Sequence, residues 1–235
     1  MACHAVIPAA GVGKRFGAGM PKQYLQLAGR CIQQHTLDRL CAMTAISQIV
    51  VAISNEDTRA QALPYAHPQR LRFVSGGCER MDSVLAGLRA LRESGAADSD
   101  WVLVHDVARP LLRPADVRHL LTVLADDPVG GILANPVRDT MKRGDADGIA
   151  ATVMRDNLWH ALTPQMFRLG ELTHALEAAL AAAAIVTDEA SAMERLGHRP
   201  RLIEGARDNI KITFPDDLAL AEALLAEQIR TGVWA

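Results

Sequence analysis

The stretch IPAAGVGKRFGAGMPKQYL, residues 7–25, carries an apolar run straight into four glycines, three basic residues and Pro21. An apolar strand that ends in a glycine-rich turn is the ligand edge of a parallel α/β sheet, where loops leave the carboxyl ends of the strands. Gly11, Gly13, Gly17 and Gly19 let the backbone turn tightly and bring N–H groups toward an anion. Lys14, Arg15 and Lys22 supply positive charge. The spacing is not that of a P-loop, because no Ser or Thr follows Lys14. It is not a dinucleotide fingerprint either, because Phe16 stands where the third glycine belongs. Taken alone, the stretch fits a phosphate-handling loop and an ordinary strand–helix turn equally well.

The surrounding sequence sets the architecture. AVIPAA (5–10) reads as a short buried strand, and residues 31–43 carry Ile32, Thr36, Leu37, Leu40 and Cys41 at helical spacing. QIVVAIS (48–54), LRFVSGG (71–77), WVLVHD (101–106), GGILANPV (130–137) and RLIEG (201–205) read as further strands. Between them lie a helix capped by Asp82 or Ser83, with Val84, Leu85, Leu88 and Leu91 on its apolar face, and helices over 114–125, 169–183 and 189–196. The alanine-rich run at 178–184 is helix-forming sequence. A last helix opens at Pro215, and Asp216 and Asp217 favour its dipole. This alternation predicts an α/β fold with a Rossmann-like, mostly parallel sheet covered on both faces, in a single domain. Residues 138–158 are polar, include RDTMKRGDADG and break the rhythm, which predicts an excursion in the form of a protruding β-arm.

Composition narrows the function. Of 235 residues, 49% are hydrophobic, enough for a sizeable core, and the formal net charge of −2 gives no basic excess to attract nucleic acid. Cys3, Cys31, Cys41 and Cys78 form no C-x-x-C pair, so neither a zinc site nor a disulfide framework is indicated, and reduced thiols in a cytoplasmic protein are expected. The amino terminus has no basic n-region and its apolar run is broken at Pro8, so no signal peptide is read. No run is long enough to span a bilayer, and no membrane partner is expected.

Two further strand ends carry polar groups. GGCERMDSV (76–84) is a second glycine turn with Arg80, Asp82 and Ser83 around a helix start, and VHDVARP (104–110) ends a strand with Asp106 and Arg109. Three strand ends of one parallel sheet converge on one crevice. Each residue alone has a plainer reading. Asp106 can be a helix cap, Arg155 can pair with Asp156, Thr163 can be a turn residue before Pro164, Thr187 with Asp188 can begin a helix, and Asp208 with Lys211 can form a local ion pair.

The order PAAGVGKRFGAGMPKQYL, GGCERMDSVLAGL, VHDVARP, VRDTMK, LWHALTPQMF, TDEASAME, EGARDNIKITFPDDLALAE resembles the 2-C-methyl-D-erythritol 4-phosphate cytidylyltransferases over nearly the whole chain. The resemblance implies a nucleotidyltransferase (GT-A-like) fold whose arm, at about 138–158, makes a homodimer. It implies CTP and methylerythritol phosphate as substrates and Mg²⁺ as cofactor. Pro8, Ala9, Ala10 and Gly11, with Arg15 and Lys22, would hold the triphosphate. Gly77 and Ser83 would orient the cytidine, with Asp106 and Arg109 nearby, and Asp106 beside a metal carried mainly by the CTP phosphates. Thr140, Arg155, Thr163, Thr187 and Asp208 would meet the second substrate, and Arg15, Lys22 and Lys211 would carry the catalysis. The chain departs from the family pattern at Cys78 and at Val107, whose larger side chain is expected to crowd the nucleotide. The alternatives are a cytidylyltransferase for ribitol 5-phosphate or another polyol phosphate, and a regulatory protein that holds CTP without turnover. Some fused relatives carry a cyclodiphosphate synthase domain, and that second activity is not expected here.

Overall fold

The computed structural model describes residues 1–11 and 20–233. The β-branched runs form strands, as their pattern predicts. The chain opens with β1 (Cys3–Pro8), and a 3-10 turn at Lys22–Tyr24 leads to the small hairpin β2 (Gln26–Leu27) and β3 (Arg30–Cys31). Then come α1 (Ile32–Ala42), β4 (Ile49–Ile53), α2 (Arg59–Ala62), β5 (Leu71–Ser75), α3 (Arg80–Glu93), β6 (Trp101–Val104), α4 (Pro114–Val123) and β7 (Gly130–Pro136). The hairpin β8 (Met141–Asp145) and β9 (Gly148–Val153) follows, then β10 (Trp159–Arg168), α5 (Leu169–Ala181), α6 (Glu189–Arg195), β11 (Arg201–Glu204) and α7 (Asp216–Arg230).

Seven strands make one sheet in the order β11-β7-β10-β6-β1-β4-β5. β5, β4, β1 and β6 pair in parallel, as do β7 and β11. The exception is β10, which the sequence pattern did not reveal. It enters antiparallel between β6 and β7, with a register irregularity between Ala161 and Gln165. The polar 138–158 segment holds an antiparallel hairpin, β8–β9, that pairs only with itself.

Successive strand residues face opposite layers. Ala5 and Ile7 of β1 join α1 and α4 in one core, through Leu37, Leu40, Val117 and Leu120, whereas Val6 joins α3, α5 and α6 in the other, through Leu85, Leu88, Leu172 and Met193. Each such fully buried aliphatic side chain contributes roughly 1.5–3 kcal/mol. A third cluster, with Leu27, Ile32, Leu111, Ile212 and Leu225, seats α7.

The approach of α3 to β1 requires a glycine. A Cβ at Gly87 would lie 2.4 Å from Val6 Cγ1. Gly87→Ala therefore overpacks the interface, at a cost of about 1–3 kcal/mol, against about 1 kcal/mol gained in helix propensity. In urea unfolding the variant should be the less stable protein. Trimming Val6 to alanine in the same chain should cost less than it does alone, and strictly additive losses would refute the close-contact account.

Candidate active site

A cleft of about 440 Å³ opens at the carboxyl ends of β1 and β6 and at the turn between β5 and α3. The main chain from Pro8 to Gly11 forms one wall, Gly77 to Arg80 with Ser83 another, and Asp106 to Ala108 the floor. Lys22 and Lys211 reach it from either end of the chain.

Short local bonds fix these walls. The Ala9 N–H donates to Ala52 O at 2.7 Å, and Gln23 Nε2 donates to Ala9 O at 3.1 Å, tying the Lys22 turn to the end of β1. The same turn is held on its far side by the Tyr24 hydroxyl, which donates to Asp57. Lys22 Nζ donates to Ile212 O at 3.0 Å. Ile212 in turn donates its N–H to Ala108 O at 2.9 Å, which sets Lys211 over the cleft. Arg15, expected on the triphosphate, and its neighbour Lys14 lie outside the described residues.

The second glycine turn is tighter than the sequence suggests. A Cβ at Gly77 would come within 2.2 Å of Asp82 Cβ. The Gly77 N–H donates to Ser83 Oγ at 3.2 Å, and that hydroxyl donates to Glu79 O at 3.3 Å. Neither Asp82 nor Ser83 is the helix cap. Glu79 holds that position and α3 begins at Arg80, because Asp82 is spent one turn in, accepting the Glu79 N–H at 3.1 Å. Val107 is 6% exposed, belongs to the core cluster that holds Leu112, and also lines the cleft floor, where its side chain is larger than the family's usual alanine.

Asp106 is the electrostatic centre. Arg80 Nε lies 3.1 Å from its Oδ1, and Lys211 Nζ lies 2.7 Å and Arg109 Nε 3.7 Å from its Oδ2. Burial pushes the carboxyl pKa up, but Arg80, then Lys211 and Arg109, overcome it and hold the group well below the usual carboxylate range. Arg80 feels the converse. Burial pushes its guanidinium down, while Glu189 and Asp106 together hold it firmly protonated. Asp106 is thus an ion-pair hub rather than a helix cap, and Lys211 pairs with it rather than with Asp208.

His105 supports the hub from behind. Its Nε2 lies 3.1 Å from Arg109 O, which only accepts, so Nδ1 is the acceptor for the Thr163 hydroxyl at 2.9 Å. Thr163 Oγ1 in turn accepts the Asp106 N–H at 3.1 Å. Burial lowers the His105 pKa from 6.5 to about 4. The folded state therefore keeps the ring neutral where the unfolded chain would protonate it, so this contribution is present above pH 6.5 and is lost as the pH falls toward 4. Its size is on the order of 3 kcal/mol. Urea midpoints of the wild type should fall between pH 7 and pH 5, and His105→Gln should flatten that slope. An unchanged slope would remove His105 as its source.

Among the described residues no three His, Cys, Asp or Glu side chains gather as a metal site. Asp106 on the cleft floor has both oxygens engaged by cations, so the described residues do not fit a protein-held metal ion.

The model of the 2-C-methyl-D-erythritol 4-phosphate cytidylyltransferase family matches residues 3–227. The chain belongs to this family. A cytidylyltransferase of that name from Ectopseudomonas mendocina is 55% identical over 96% of both chains. One from Shewanella oneidensis is 54% identical over 94% of this chain and 87% of its own. The crystal structure of the Francisella tularensis enzyme of the same name superposes with a TM-score of 0.81 at 35% identity, over 95% of this chain and all of that one.

In this cytidylyltransferase the residues expected on the nucleotide do meet in one cleft: Pro8, Ala9, Ala10, Gly11, Lys22, Gly77, Ser83, Asp106 and Lys211. Arg109 stands behind it, 8% exposed, its Nη1 donating to Asn209 O at 2.7 Å. The residues expected on the second substrate are more scattered. Thr163 is buried beneath Asp106, not in a simple turn. Thr187 is exposed just ahead of α6, whose cap is Asp188. Thr140 and Arg155 lie exposed at the base of the hairpin, where the Arg155 guanidinium donates to Arg138 O rather than pairing with Asp156. Asp208 is turned to Arg113, 2.7 Å from Nη2, and to Gln228 Nε2 at 2.6 Å. Sequence reasoning placed Arg80 at a strand end beside the crevice but gave it no substrate role, and it passed over Glu189 and Gln23. Arg80 and Glu189 lie 109 positions apart, and no local pattern announces their pairing.

Proposed function

We propose that this chain transfers CMP from CTP to 2-C-methyl-D-erythritol 4-phosphate, releasing pyrophosphate and forming 4-diphosphocytidyl-2-C-methyl-D-erythritol, a step of non-mevalonate isoprenoid synthesis. The observation that carries the reading is the meeting of Lys22, Lys211 and the Gly77–Ser83 turn with the Pro8–Gly11 backbone in one cleft. A phosphate oxygen of the acceptor attacks the α-phosphorus of CTP, the bond to the bridging oxygen breaks, and pyrophosphate leaves with the electron pair. The acceptor phosphate is largely dianionic near neutral pH, so it needs no protein nucleophile. The protein's work is to align two anions that repel and to offset the charge that grows on the leaving group. Lys22 and Lys211 stand where they can do so, with Arg15 as the third cation of this reading. Mg²⁺ is expected to arrive with the nucleotide, bound through its phosphate oxygens as a hard cation prefers.

Gly77 and Ser83 take the cytidine in this reading, and Thr140, Arg155, Thr163, Thr187 and Asp208 belong to the acceptor side. The exposed hairpin suits a homodimer arm, since Ile149 is 71% and Met154 74% exposed. Arg155 or Thr140 would then serve the partner subunit's cleft, and light scattering should report twice the chain mass. A fully active monomer would end that part of the proposal. The four free thiols suit the cytoplasm, and among the described residues no helix is long and apolar enough to cross a membrane.

A pyrophosphate-release assay across four nucleoside triphosphates and a panel of polyol phosphates tests the whole. CTP with methylerythritol phosphate should be the fastest pair. Faster turnover with ribitol 5-phosphate would move the acceptor assignment, and equal turnover with UTP would remove the cytosine-reading role of the Gly77–Ser83 turn.

A further inference from the structure

Glu189 is a carboxylate with 1% of its side chain exposed, at the start of α6, and none of the substrate roles above calls for it. It grips Arg80 with both oxygens, Nη1 to Oε1 at 2.5 Å and Nη2 to Oε2 at 3.0 Å. The remaining nitrogen of that guanidinium, Nε, reaches Asp106 Oδ1, and Asp106 Oδ2 takes Lys211 Nζ. Four alternating charges thus run from a buried anchor to a cation that lines the cleft. The anchor is itself fixed by Gln165 of β10, which donates Nε2 to Asp188 Oδ2 at 2.9 Å and accepts the Ala190 N–H at 2.8 Å. Stability alone is a poor reason for such a pair, because burying two ions costs several kcal/mol each and a packed apolar pair of similar volume often does as well.

We infer that Glu189 is a positioning residue for cytidylyl transfer, fixing Arg80 so that Asp106 presents Lys211 at one place over the triphosphate. The inference rests on reading the cleft as the CTP site. With Glu189 neutral, the fork of Arg80 turns to Asp106 and competes with Lys211 for the same carboxylate. Planar guanidinium favours two parallel bonds to one carboxylate, so the ammonium is the group that yields. A displacement of about 1 Å in a catalytic group can cost roughly 100-fold in rate. Arg80 keeps its charge and its place in the cleft wall when Glu189 is neutral, so ground-state capture of CTP by the Pro8–Gly11 and Gly77–Ser83 walls is left largely intact.

The test is a double-mutant cycle on the full chain with Glu189→Gln, Arg80→Gln and both. Three quantities are read: kcat per CTP-binding site, with the site number from calorimetry, KM for CTP, and Tm. Glu189→Gln should lower kcat per site by about 10- to 100-fold while KM for CTP moves by less than about threefold. In the Arg80→Gln background the same change should add little, because Glu189 acts through Arg80. A merely structural Glu189 would lower Tm and the number of binding sites and leave kcat per site intact. That result, or the full loss repeated without Arg80, overturns the inference. If Glu189→Gln does not fold, Arg80→Lys, which keeps the charge and loses the fork, carries the test: it should lose kcat per site to the same degree, and a wild-type rate overturns the inference. A wild-type chain that binds CTP yet releases no pyrophosphate with methylerythritol phosphate would sink the reading of the cleft instead.

Discussion

Lys211→Ala should lower kcat by roughly 10²–10³-fold, as removal of one preorganised donor to developing charge typically does, and Lys22→Ala should do the same. Both ammonium groups line the cleft and are placed by the Ile212 backbone: Lys22 donates to its carbonyl, and Lys211 precedes it in the chain. Neither carries the core. The Lys211 side chain is 35% exposed, and Asp106 keeps Arg80 and Arg109 when it is gone. Tm should therefore stay within a few degrees, since each kcal/mol shifts a domain of this size by about 2–4 °C. Lys14→Ala serves as the control, expected from the sequence to face solvent and to be milder. Steady-state kinetics at saturating CTP decide the matter. A near-normal rate for Lys211→Ala together with a crippled Lys14→Ala would show that the wrong cations have been placed on the phosphates.

Asp106→Ala should injure both stability and rate. The carboxylate is 8% exposed and three cations face it. Without it, Arg80, Arg109 and Lys211 repel one another, and Arg109 Nε, 3.7 Å from Asp106 Oδ2, loses the charge beside it. Breaking such a buried pair costs about 3–5 kcal/mol, or on the order of 10 °C in Tm. The sign of its pH dependence follows from the depressed carboxyl. Its stabilisation is present above the ordinary carboxylate pKa of about 3.9 and fades as the pH falls below that, so the gap between wild type and variant should narrow in acid. Equal melting points at pH 7 would show that the hub carries no net stability.

Much of this was legible in the sequence, and the physical reason differs from element to element. IVVAI and WVLV are short runs rich in β-branched residues and bounded by polar ones, and both are strands, as their length and β-branching favour. The glycine turns at Gly11 and Gly77 marked two of the three strand ends that meet at the cleft, and Asp106 marked the third. WHALTPQMFR is different. It mixes polar and apolar residues without period and contains Pro164, which argues against an interior strand. It becomes one only because β6 and β7 leave a space that its backbone fills. The Arg80–Glu189 pair and the turning of Asp208 to Arg113 are likewise products of tertiary contact. Single residues at long separation carry no periodicity to read.

The position of β10 also constrains how the protein is made. When the ribosome has completed β7, that strand has neither neighbour, since β10 and β11 are still to come, and β6 has only β1. A nascent chain of this kind presents open strand edges to any partner that arrives first. Chains stalled at Asp156 should be cut readily by protease or captured by a holdase chaperone, and chains stalled past Glu204 should resist. Equal resistance of the two would show that the sheet closes some other way. The strand that seals the sheet is also the one that sets Thr163 beneath Asp106 and Gln165 against the start of α6. Escape from aggregation and assembly of the site are then one event, completed late in translation.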